Sequence, residues 1–330
     1  MTRTRILGTG KAVPAQVLTN DDLSRKVATS DQWIAERTGI RERRVLEDGR
    51  TTSDLAVEAA TSALDAAGLP ASALDAIIVA TISPDAPLPA CAVQVQRKLG
   101  ATCPAFDLSA ACAGFVYGMS VADAFIRAGS MKHVLVIGVE ILSRVLDWTD
   151  RNTCVLFGDG AGAAVFGPTE EVLPSGPRGV LSTHIYADGS YADLLYIPAG
   201  GSAKPASAQT VEAGEHFVKM NGKGVFVHAV RNISRAALAA LEQNGKRPDD
   251  VTLVIAHQAN LRILEAVAEK TGLPMSKFFL NIAKYGNTSS ASIPIALDEA
   301  VREGRVAAGD LLLFGALGAG FSWGSALVRW

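Results

Sequence analysis

The stretch PAFDLSAACAGF, residues 104–115, decides how the rest of this sequence is interpreted. An apolar, strand-like segment ends at a cluster of small residues, one cysteine follows, and an amphipathic segment begins at residue 116. This order predicts a strand, a tight turn and a helix, with Cys112 at the helix N-terminus. Unpaired backbone N–H groups and the helix dipole stabilise a thiolate at such a position. We therefore interpret Cys112 as a nucleophile.

The other three cysteines, Cys91, Cys103 and Cys154, are interpreted as small buried hydrophobic residues, which is the usual role of a free cysteine. The four cysteines form neither a CxxC pair nor a Cys/His pattern with metal-ligand spacing. Such a set predicts no metal site and is typical of a protein in a reducing cytosol.

Composition narrows the class of protein. The chain has 330 residues, 48% of them hydrophobic, and a formal net charge of −2. This balance predicts a large buried core and argues against a general affinity for nucleic acid or for a membrane surface. Residues 1–8 lack the apolar segment of a signal peptide, and no segment approaches the roughly 20 apolar residues of a membrane span. We therefore expect a soluble, cytoplasmic protein.

Strand-like and helix-like segments alternate along the chain, which predicts an α/β fold. The spacing also indicates an internal duplication. Cys112 follows Asp75 by 37 positions, and Asn287 follows Asp250 by 37 positions. We expect two superposable halves, residues 1–172 and 173–330, with Cys112 and Asn287 at equivalent positions across a pseudo-twofold axis.

Two further polar features follow or precede predicted elements. His257 comes directly after the apolar segment Val254-Ile255-Ala256, and Asn287 lies in a turn before a predicted helix over residues 292–301. Taken singly, such a histidine is usually structural, and a Gly-Asn pair is usually a turn with a helix cap. Together with Cys112 in a duplicated fold, they predict one catalytic site.

The segments AACAGF (110–115), HQANLR (257–262) and YGNTSSAS (285–292) together resemble the β-ketoacyl-acyl carrier protein synthase III family. The similarity extends through residues 33–43, 157–163, 190–195 and 320–324. The resemblance implies the thiolase fold, a duplicated five-layered α-β-α-β-α sandwich, usually as a homodimer.

The reaction implied by this resemblance is a decarboxylative Claisen condensation that initiates fatty acid synthesis. Cys112 takes the acyl group from a short-chain acyl-CoA, and the resemblance implies acetyl-CoA. The backbone N–H groups of Cys112 and Ala319 hold the oxyanion. His257 and Asn287 then stabilise the enolate formed from malonyl-acyl carrier protein. The enolate attacks acyl-Cys112 to give a 3-ketoacyl product. No metal or cofactor is implied, because acyl-CoA is a substrate.

Binding roles also follow from the resemblance. The implied CoA-binding residues are Trp33, Arg37, Arg151, Gly222, Phe226, Ala259 and Asn260. Arg262 and Lys270 are implied to dock the acidic carrier protein, and Leu88 is implied to cap the acyl pocket of the partner subunit.

Three features depart from the family pattern. Ala319 interrupts a glycine run, Val227 stands where a basic residue would help carrier docking, and the loop over residues 200–215 is long. Ala319 and the long loop leave open a relative in specialised metabolism that condenses or transfers acyl groups onto another acceptor. A third interpretation is a non-catalytic subunit that binds carrier protein, and the joint presence of Cys112, His257 and Asn287 argues against it.

Overall fold

The structure, a computed structural model, describes residues 2–330, which form fifteen β-strands and ten α-helices. The strands are β1 (Arg3–Ala12), β2 (Gln16–Thr19), β3 (Glu42–Val45), β4 (Ala76–Ala80), β5 (Ala105–Leu108), β6 (Val134–Glu140), β7 (Gly160–Thr169), β8 (Val172–Leu173), β9 (Gly176–Pro177), β10 (Gly179–Ala187), β11 (Leu195–Tyr196), β12 (Lys219–Met220), β13 (Leu253–Ala256), β14 (Leu311–Gly318) and β15 (Ser322–Arg329). The helices are α1 (Asn20–Ser24), α2 (Asp31–Thr38), α3 (Thr52–Ala67), α4 (Cys91–Leu99), α5 (Gly114–Arg127), α6 (Ala208–Glu212), α7 (Gly222–Gln243), α8 (Leu261–Thr271), α9 (Ile282–Tyr285) and α10 (Ser292–Arg302).

Local sequence signals account for several of these bounds. The side chain of Ser30 accepts a hydrogen bond from the Trp33 N–H and so begins α2, which ends at Gly39 with a left-handed φ of 79°. Thr19 and Asp22 form a capping box at α1. The long loop after residue 200 also contains a short helix, α6, which the sequence did not indicate.

Two sheets repeat one topology. The first has the order β1-β7-β6-β4-β5 and the second has the order β10-β15-β14-β13. In both sheets one pair of neighbouring strands is parallel, β6–β4 in the first and β14–β13 in the second. The next two strands, β7 and β1 or β15 and β10, pair antiparallel. A single parallel bridge between Val254 and Phe278 occupies the place that β5 has in the first sheet. The predicted duplication is therefore present in the backbone.

Helices form three layers around these sheets. Helices α3 and α4 cover the outer face of the first sheet, α7 and α8 cover the outer face of the second, and α5 and α10 pack between the two sheets. Every residue of α10 from Ser292 to Ala300 is buried, as a helix enclosed between two sheets requires. The order of layers is the predicted α-β-α-β-α sandwich.

The predicted division of the chain between residues 172 and 173 falls within β8. This strand and β9 form a two-stranded hairpin between the last strand of the first sheet and the first strand of the second. The division into two thiolase-like halves at this position remains a prediction.

The equivalence of Cys112 and Asn287, which the spacing predicts, is wrong. A 3-10 turn over Ala111–Ala113 leads into α5, and a matching 3-10 turn over Ser289–Ala291 leads into α10. The first residue of each turn has a positive φ, 45° at Ala111 and 50° at Ser289. The position equivalent to Cys112 is therefore Ser290. The short helix α9 lies before the second turn and shifts the residue count.

Candidate active site

Cys112 lies in the tight turn that joins β5 to α5, and the backbone of β14 packs directly against it. A Cβ atom added at Gly318 would lie 2.5 Å from the backbone nitrogen of Cys112. A Cβ atom added at Gly114 would lie similarly close to the Ala80 side chain. Because glycine has no side chain, the end of β14 and the turn can approach closely enough to share one site. The next residue after Gly318 is Ala319, which lines the same cavity as Cys112.

The Cys112 side chain is buried, with 7% of its surface exposed. Burial raises the pKa of its thiol to about 12, while the neighbouring Ser289 side chain acts to lower that pKa. Burial therefore opposes the resting thiolate that the sequence led us to expect at this helix N-terminus.

His257 follows the last residue of β13, and its backbone N–H donates to the Gly315 carbonyl of β14. Burial lowers the pKa of the imidazole to about 3, so the ring is neutral over the physiological range. Its Nδ1 lies 2.6 Å from the Ser292 hydroxyl, which is also 2.9 Å from the Ser289 carbonyl oxygen. The Ser292 hydroxyl donates its proton to the Ser289 carbonyl, its oxygen lies beside Nδ1, and Nε2 is the ring nitrogen left for a ligand.

Asn287 is held by its backbone and by its own side-chain oxygen. Its N–H donates to the Leu156 carbonyl, and its carbonyl accepts from the Gly158 N–H. Its Oδ1 accepts a hydrogen bond of 2.8 Å from the Ser289 N–H. Because the oxygen is engaged in this way, the amide NH2 group is the end that can donate to a ligand.

These three residues line one narrow cavity of about 120 Å³. Four of the residues implied to bind CoA line it too, namely Gly222, Phe226, Ala259 and Asn260. An outer hollow of about 430 Å³ shares Gly222 and Asn260 with this cavity and contains the other three implied CoA residues, Trp33, Arg37 and Arg151.

On the other side of Cys112 lies an apolar cavity of about 240 Å³. Its walls are mostly aliphatic and aromatic: Ile82, Leu142, Phe157, Leu195, Tyr196, Ile197 and Val218, with Ala111, Ser289 and Ala319. Cys112 thus lies between a polar entrance and an apolar cavity, which is the arrangement that a thioester with an acyl tail requires.

The indole of Trp33 at the entrance is flanked by two cations. The guanidinium carbons of Arg37 and Arg151 lie 4.6 and 5.0 Å from the ring centroid. Such contacts stabilise both the aromatic ring and the cations.

The other residues implied by the resemblance lie outside the cavities. Arg262, at the start of α8, is exposed and donates to the Glu36 carbonyl. Lys270 is exposed in the last turn of the same helix. Leu88, between β4 and α4, has 85% of its surface exposed. No described contact of these three residues tests their implied roles.

Sequence reasoning missed Glu140, the last residue of β6. Its carboxylate is fully buried and accepts hydrogen bonds from the hydroxyls of Ser83 (2.6 Å), Ser289 (3.1 Å) and Ser290 (3.2 Å). Burial raises its pKa to about 7, against the lowering effect of these donors. The available signal was a carboxylate at the end of the apolar segment over residues 134–139.

Comparisons with known proteins agree with this geometry. The family model described as 3-oxoacyl-[acyl-carrier-protein (ACP)] synthase III matches residues 106–189, and the model of that family's C-terminal part matches residues 241–330. The chain is 50% identical over 324 residues to the β-ketoacyl-[acyl-carrier-protein] synthase III of a Roseiflexus species, covering 98% of this chain and 97% of that protein. This chain belongs to the 3-oxoacyl-[acyl-carrier-protein] synthase III family.

Solved structures of the synthase III family superpose on the chain along its length. The 3-oxoacyl-[acyl-carrier-protein] synthase III of Aquifex aeolicus gives a TM-score of 0.91 at 47% identity, covering 99% of this chain and 100% of that one. The priming β-ketosynthase of the R1128 polyketide biosynthetic pathway gives 0.90 at 35% identity, covering 99% and 96%. The family and the thiolase fold expected from the sequence are confirmed.

Two structural features are absent from the described residues. Within residues 2–330, no helix combines the length and the apolar character needed to cross a membrane. In the same part of the chain, no group of three or more His, Cys, Asp or Glu side chains is arranged to hold a metal ion.

Proposed function

We propose that this chain condenses a short-chain acyl-CoA with malonyl-acyl carrier protein to give 3-ketoacyl-acyl carrier protein, the step that initiates fatty acid synthesis. The observation that carries the proposal is the position of Cys112, His257 and Asn287 in one narrow cavity between a polar entrance and an apolar cavity. Membership of the synthase III family supports the same reaction.

In the first half-reaction, the Cys112 sulfur attacks the thioester carbonyl, and CoA leaves as the acyl-enzyme forms. The oxyanion of the tetrahedral intermediate accepts hydrogen bonds from the backbone N–H groups of Cys112 and Ala319. Trp33, Arg37 and Arg151 hold the nucleotide end of CoA at the entrance. The pantetheine arm extends past Phe226 and Asn260 to the sulfur.

In the second half-reaction, malonyl-acyl carrier protein occupies the same narrow cavity and loses carbon dioxide. The negative charge that develops on the thioester oxygen is stabilised by the Nε2–H of His257 and the amide NH2 of Asn287. Neutral donors suit this step because they stabilise the charge without transferring a proton to the carbanion. The enolate carbon then attacks acyl-Cys112, and the thiolate of Cys112 leaves.

The apolar cavity accepts the acyl tail. At roughly 30 Å³ for a group the size of a water molecule, its volume of about 240 Å³ holds several methylene groups beyond an acetyl group. The reaction needs no metal or cofactor. Arg262 and Lys270 are proposed to contact the carrier protein, and a cytoplasmic homodimer in which Leu88 closes the partner's acyl cavity completes the proposal.

The decisive experiment measures intact protein mass after mixing with acetyl-CoA and, separately, with branched and longer acyl-CoAs. We expect one acyl group on the wild type and none on Cys112→Ser. Cys103→Ser is the matched control, because Cys103 lies apart from the three cavities and should leave acylation unchanged. No adduct from acyl-CoA or from acyl-carrier protein would contradict the proposal and favour a non-catalytic carrier-binding subunit.

A second candidate function is acyl condensation or transfer onto another acceptor in specialised metabolism. Ala319 in the wall of the acyl cavity favours it, since a methyl group there reshapes the space beside Cys112. The 35% identity to a priming ketosynthase of a polyketide pathway favours it too. Product analysis with malonyl-acyl carrier protein and with other acceptors separates the two functions.

A further inference from the structure

Glu140 is a fully buried carboxylate that the proposed reaction does not use, and its hydrogen bonds join two separate segments of the site. Its Oε2 accepts from the Ser83 hydroxyl at 2.6 Å, in the segment that follows β4. Its Oε1 accepts from the hydroxyls of Ser289 and Ser290 at 3.1 and 3.2 Å, in the turn that begins α10. The Ile82 N–H lies 3.1 Å from Oε2 and 3.3 Å from Oε1. One carboxylate therefore holds both segments.

The first of these segments forms part of the acyl cavity. Ile82 lines that cavity, whereas the next residue, Ser83, lines neither it nor the narrow cavity. The Ser83 hydroxyl also accepts from the Ile141 N–H at 2.9 Å, and Leu142, which follows, lines the acyl cavity too. Two walls of the acyl cavity are therefore fixed by the hydrogen bonds around Glu140.

Ser289, in the second segment, has all three of its polar groups engaged. Its hydroxyl donates to Glu140, and its N–H donates to Oδ1 of Asn287 at 2.8 Å. Its carbonyl accepts from Ser292, whose oxygen lies beside Nδ1 of His257. The φ of Ser289 is 50°, a costly conformation that persists only where the surroundings hold it. The orientation of the Asn287 amide therefore depends on the bonds that hold Ser289, and Glu140 accepts one of them.

A second buried carboxylate, Asp159, provides a matched comparison. It accepts from the Ser143 hydroxyl at 2.6 Å and from the N–H groups of Ser143 and Leu46. None of the described hydrogen bonds of this carboxylate reaches the turn that begins α10. The Ser83 and Ser143 hydroxyls thus make bonds of equal length to buried carboxylates, but only Glu140 leads on to Ser289.

We propose that Glu140 positions the acyl cavity and the Asn287 amide relative to one another through the hydroxyls of Ser83 and Ser289. The proposal rests on the two half-reactions proposed above. Glu140 lines neither cavity, so it is a positioning residue. It acts on the acyl group through Ile82 and on the enolate through Ser289.

The test measures kcat and KM for decarboxylation of malonyl-acyl carrier protein by release of labelled carbon dioxide. Ser83→Ala removes a hydroxyl that has no described hydrogen bond to Asn287 or His257. We expect it to lower kcat roughly tenfold with KM unchanged, because a misplaced amide affects the transition state and not the binding of the carrier arm. Ser143→Ala, which removes the equal bond to Asp159, should keep the wild-type kcat.

A double-mutant cycle tests whether the two hydroxyls act through the same carboxylate. Ser289→Ala should also lower kcat roughly tenfold. The double variant Ser83→Ala/Ser289→Ala should be slowed by much less than the product of the single effects, because either change already releases the turn from the cavity wall. Ser143→Ala/Ser289→Ala should match Ser289→Ala alone. Multiplicative effects of Ser83→Ala and Ser289→Ala would overturn the proposal.

Substitutions at position 140 separate hydrogen bonding from charge. Glu140→Gln keeps an oxygen for the Ile82 N–H and gains an NH2 group that can donate to the hydroxyls of Ser289 and Ser290, so its kcat should stay within about threefold of wild type. Glu140→Met fills a similar volume without these bonds and should lose roughly 100-fold in kcat. Equal losses in the two variants would contradict positioning by hydrogen bonds. Should Glu140→Met fail to fold, the serine variants still decide the matter.

The acyl cavity gives an independent readout. Rates of acyl-Cys112 formation, followed by rapid quenching and intact mass, are compared for acetyl-CoA and for longer acyl-CoAs. Ser83→Ala should narrow the difference between these rates, because Ile82 is then less firmly held, and Ser143→Ala should not. An unchanged profile in Ser83→Ala would refute the link between Glu140 and the cavity wall.

Two failures are distinguishable. No release of carbon dioxide by the wild type, with no acyl group on Cys112, contradicts the proposed function itself. Wild-type kinetics in both Ser83→Ala and Ser289→Ala overturn the positioning role of Glu140 and leave the proposed function standing.

Discussion

The turns that begin α5 and α10 share one backbone conformation but carry opposite chemistry. In the first turn, Ala111, Cys112 and Ala113 present a single reactive atom among methyl groups. In the second, Ser289 and Ser290 fill the matching positions and Ser292 follows them. Ala111 and Ser289 have nearly the same positive φ, so the difference lies in the side chains.

This difference shows how a duplicated fold divides the work of one site. The first turn supplies the nucleophile, and small neighbours leave room for a thioester. The second turn supplies hydroxyls that hydrogen-bond Glu140 and His257, two buried groups whose pKa values lie far from their ordinary range. One copy provides the reacting atom, and the other sets the protonation of the groups around it.

Exchanging the two side chains gives the largest expected effect. In the double variant Cys112→Ser/Ser290→Cys, acyl-enzyme formation should fall by on the order of 10⁶-fold, the scale seen when a nucleophile is removed. The thiol at position 290 faces Ala80 and Glu140 and does not line the acyl cavity. Intact mass with acyl-CoA checks this, and an acyl group on residue 290 would show that the two positions are interchangeable.

Removing the amide donor of Asn287, which precedes the second turn, should have the next largest effect. We expect Asn287→Ala to lower the rate of malonyl-acyl carrier protein decarboxylation by about 10²–10³-fold, with acyl-enzyme formation much less affected. Asn287→Asp is the matched variant, because it keeps an oxygen for the Ser289 N–H but has no amide donor. Release of labelled carbon dioxide measures the step, and full activity in Asn287→Asp would refute the donor role.

The buried carboxylate beneath the second turn should make stability depend on pH. The pKa of Glu140 is raised from 4.5 to about 7, so its contribution is greatest when it is protonated and is lost as pH rises through about 7. Relative to Glu140→Gln, the wild type should lose on the order of 3 kcal/mol of unfolding free energy over this window, at about 1.4 kcal/mol per pKa unit.

Urea unfolding at a series of pH values measures this difference. Glu303→Gln is the control, because the Glu303 side chain is exposed and stays hydrated in the folded state. A flat difference between wild type and Glu140→Gln from about pH 4 to about pH 8 would contradict the raised pKa of Glu140.

The smallest expected effect concerns the last serine of the second turn. Ser292→Ala removes the hydroxyl beside Nδ1 of His257, which costs about 1 kcal/mol and should slow decarboxylation by roughly five- to tenfold. Acyl-enzyme formation should change less, because the donor role of His257 belongs to the second half-reaction. Ser290→Ala, which does not contact His257, should decarboxylate at the wild-type rate. Equal losses in both half-reactions would argue against a role of Ser292 that acts through His257.

Local signals in the sequence were sufficient for most of the secondary structure. The cap residues Ser30 and Gly39 bound α2, and the apolar residues 134–138 form most of β6. These features depend on side-chain periodicity and backbone caps, which act over a few residues. The predicted equivalence of Cys112 and Asn287 failed because residue counts do not register an inserted helix such as α9.

The sequence by itself determined the α/β duplication, the likeness to the synthase III family and the residues proposed for its chemistry. The tertiary structure decided how the pKa values of the site are shifted: burial raises those of Cys112 and Glu140 and lowers that of His257. A pKa depends on burial and on partners that the chain brings from afar. Ser289 and Glu140 lie 149 positions apart in the sequence, and only folding places their side chains 3.1 Å from each other.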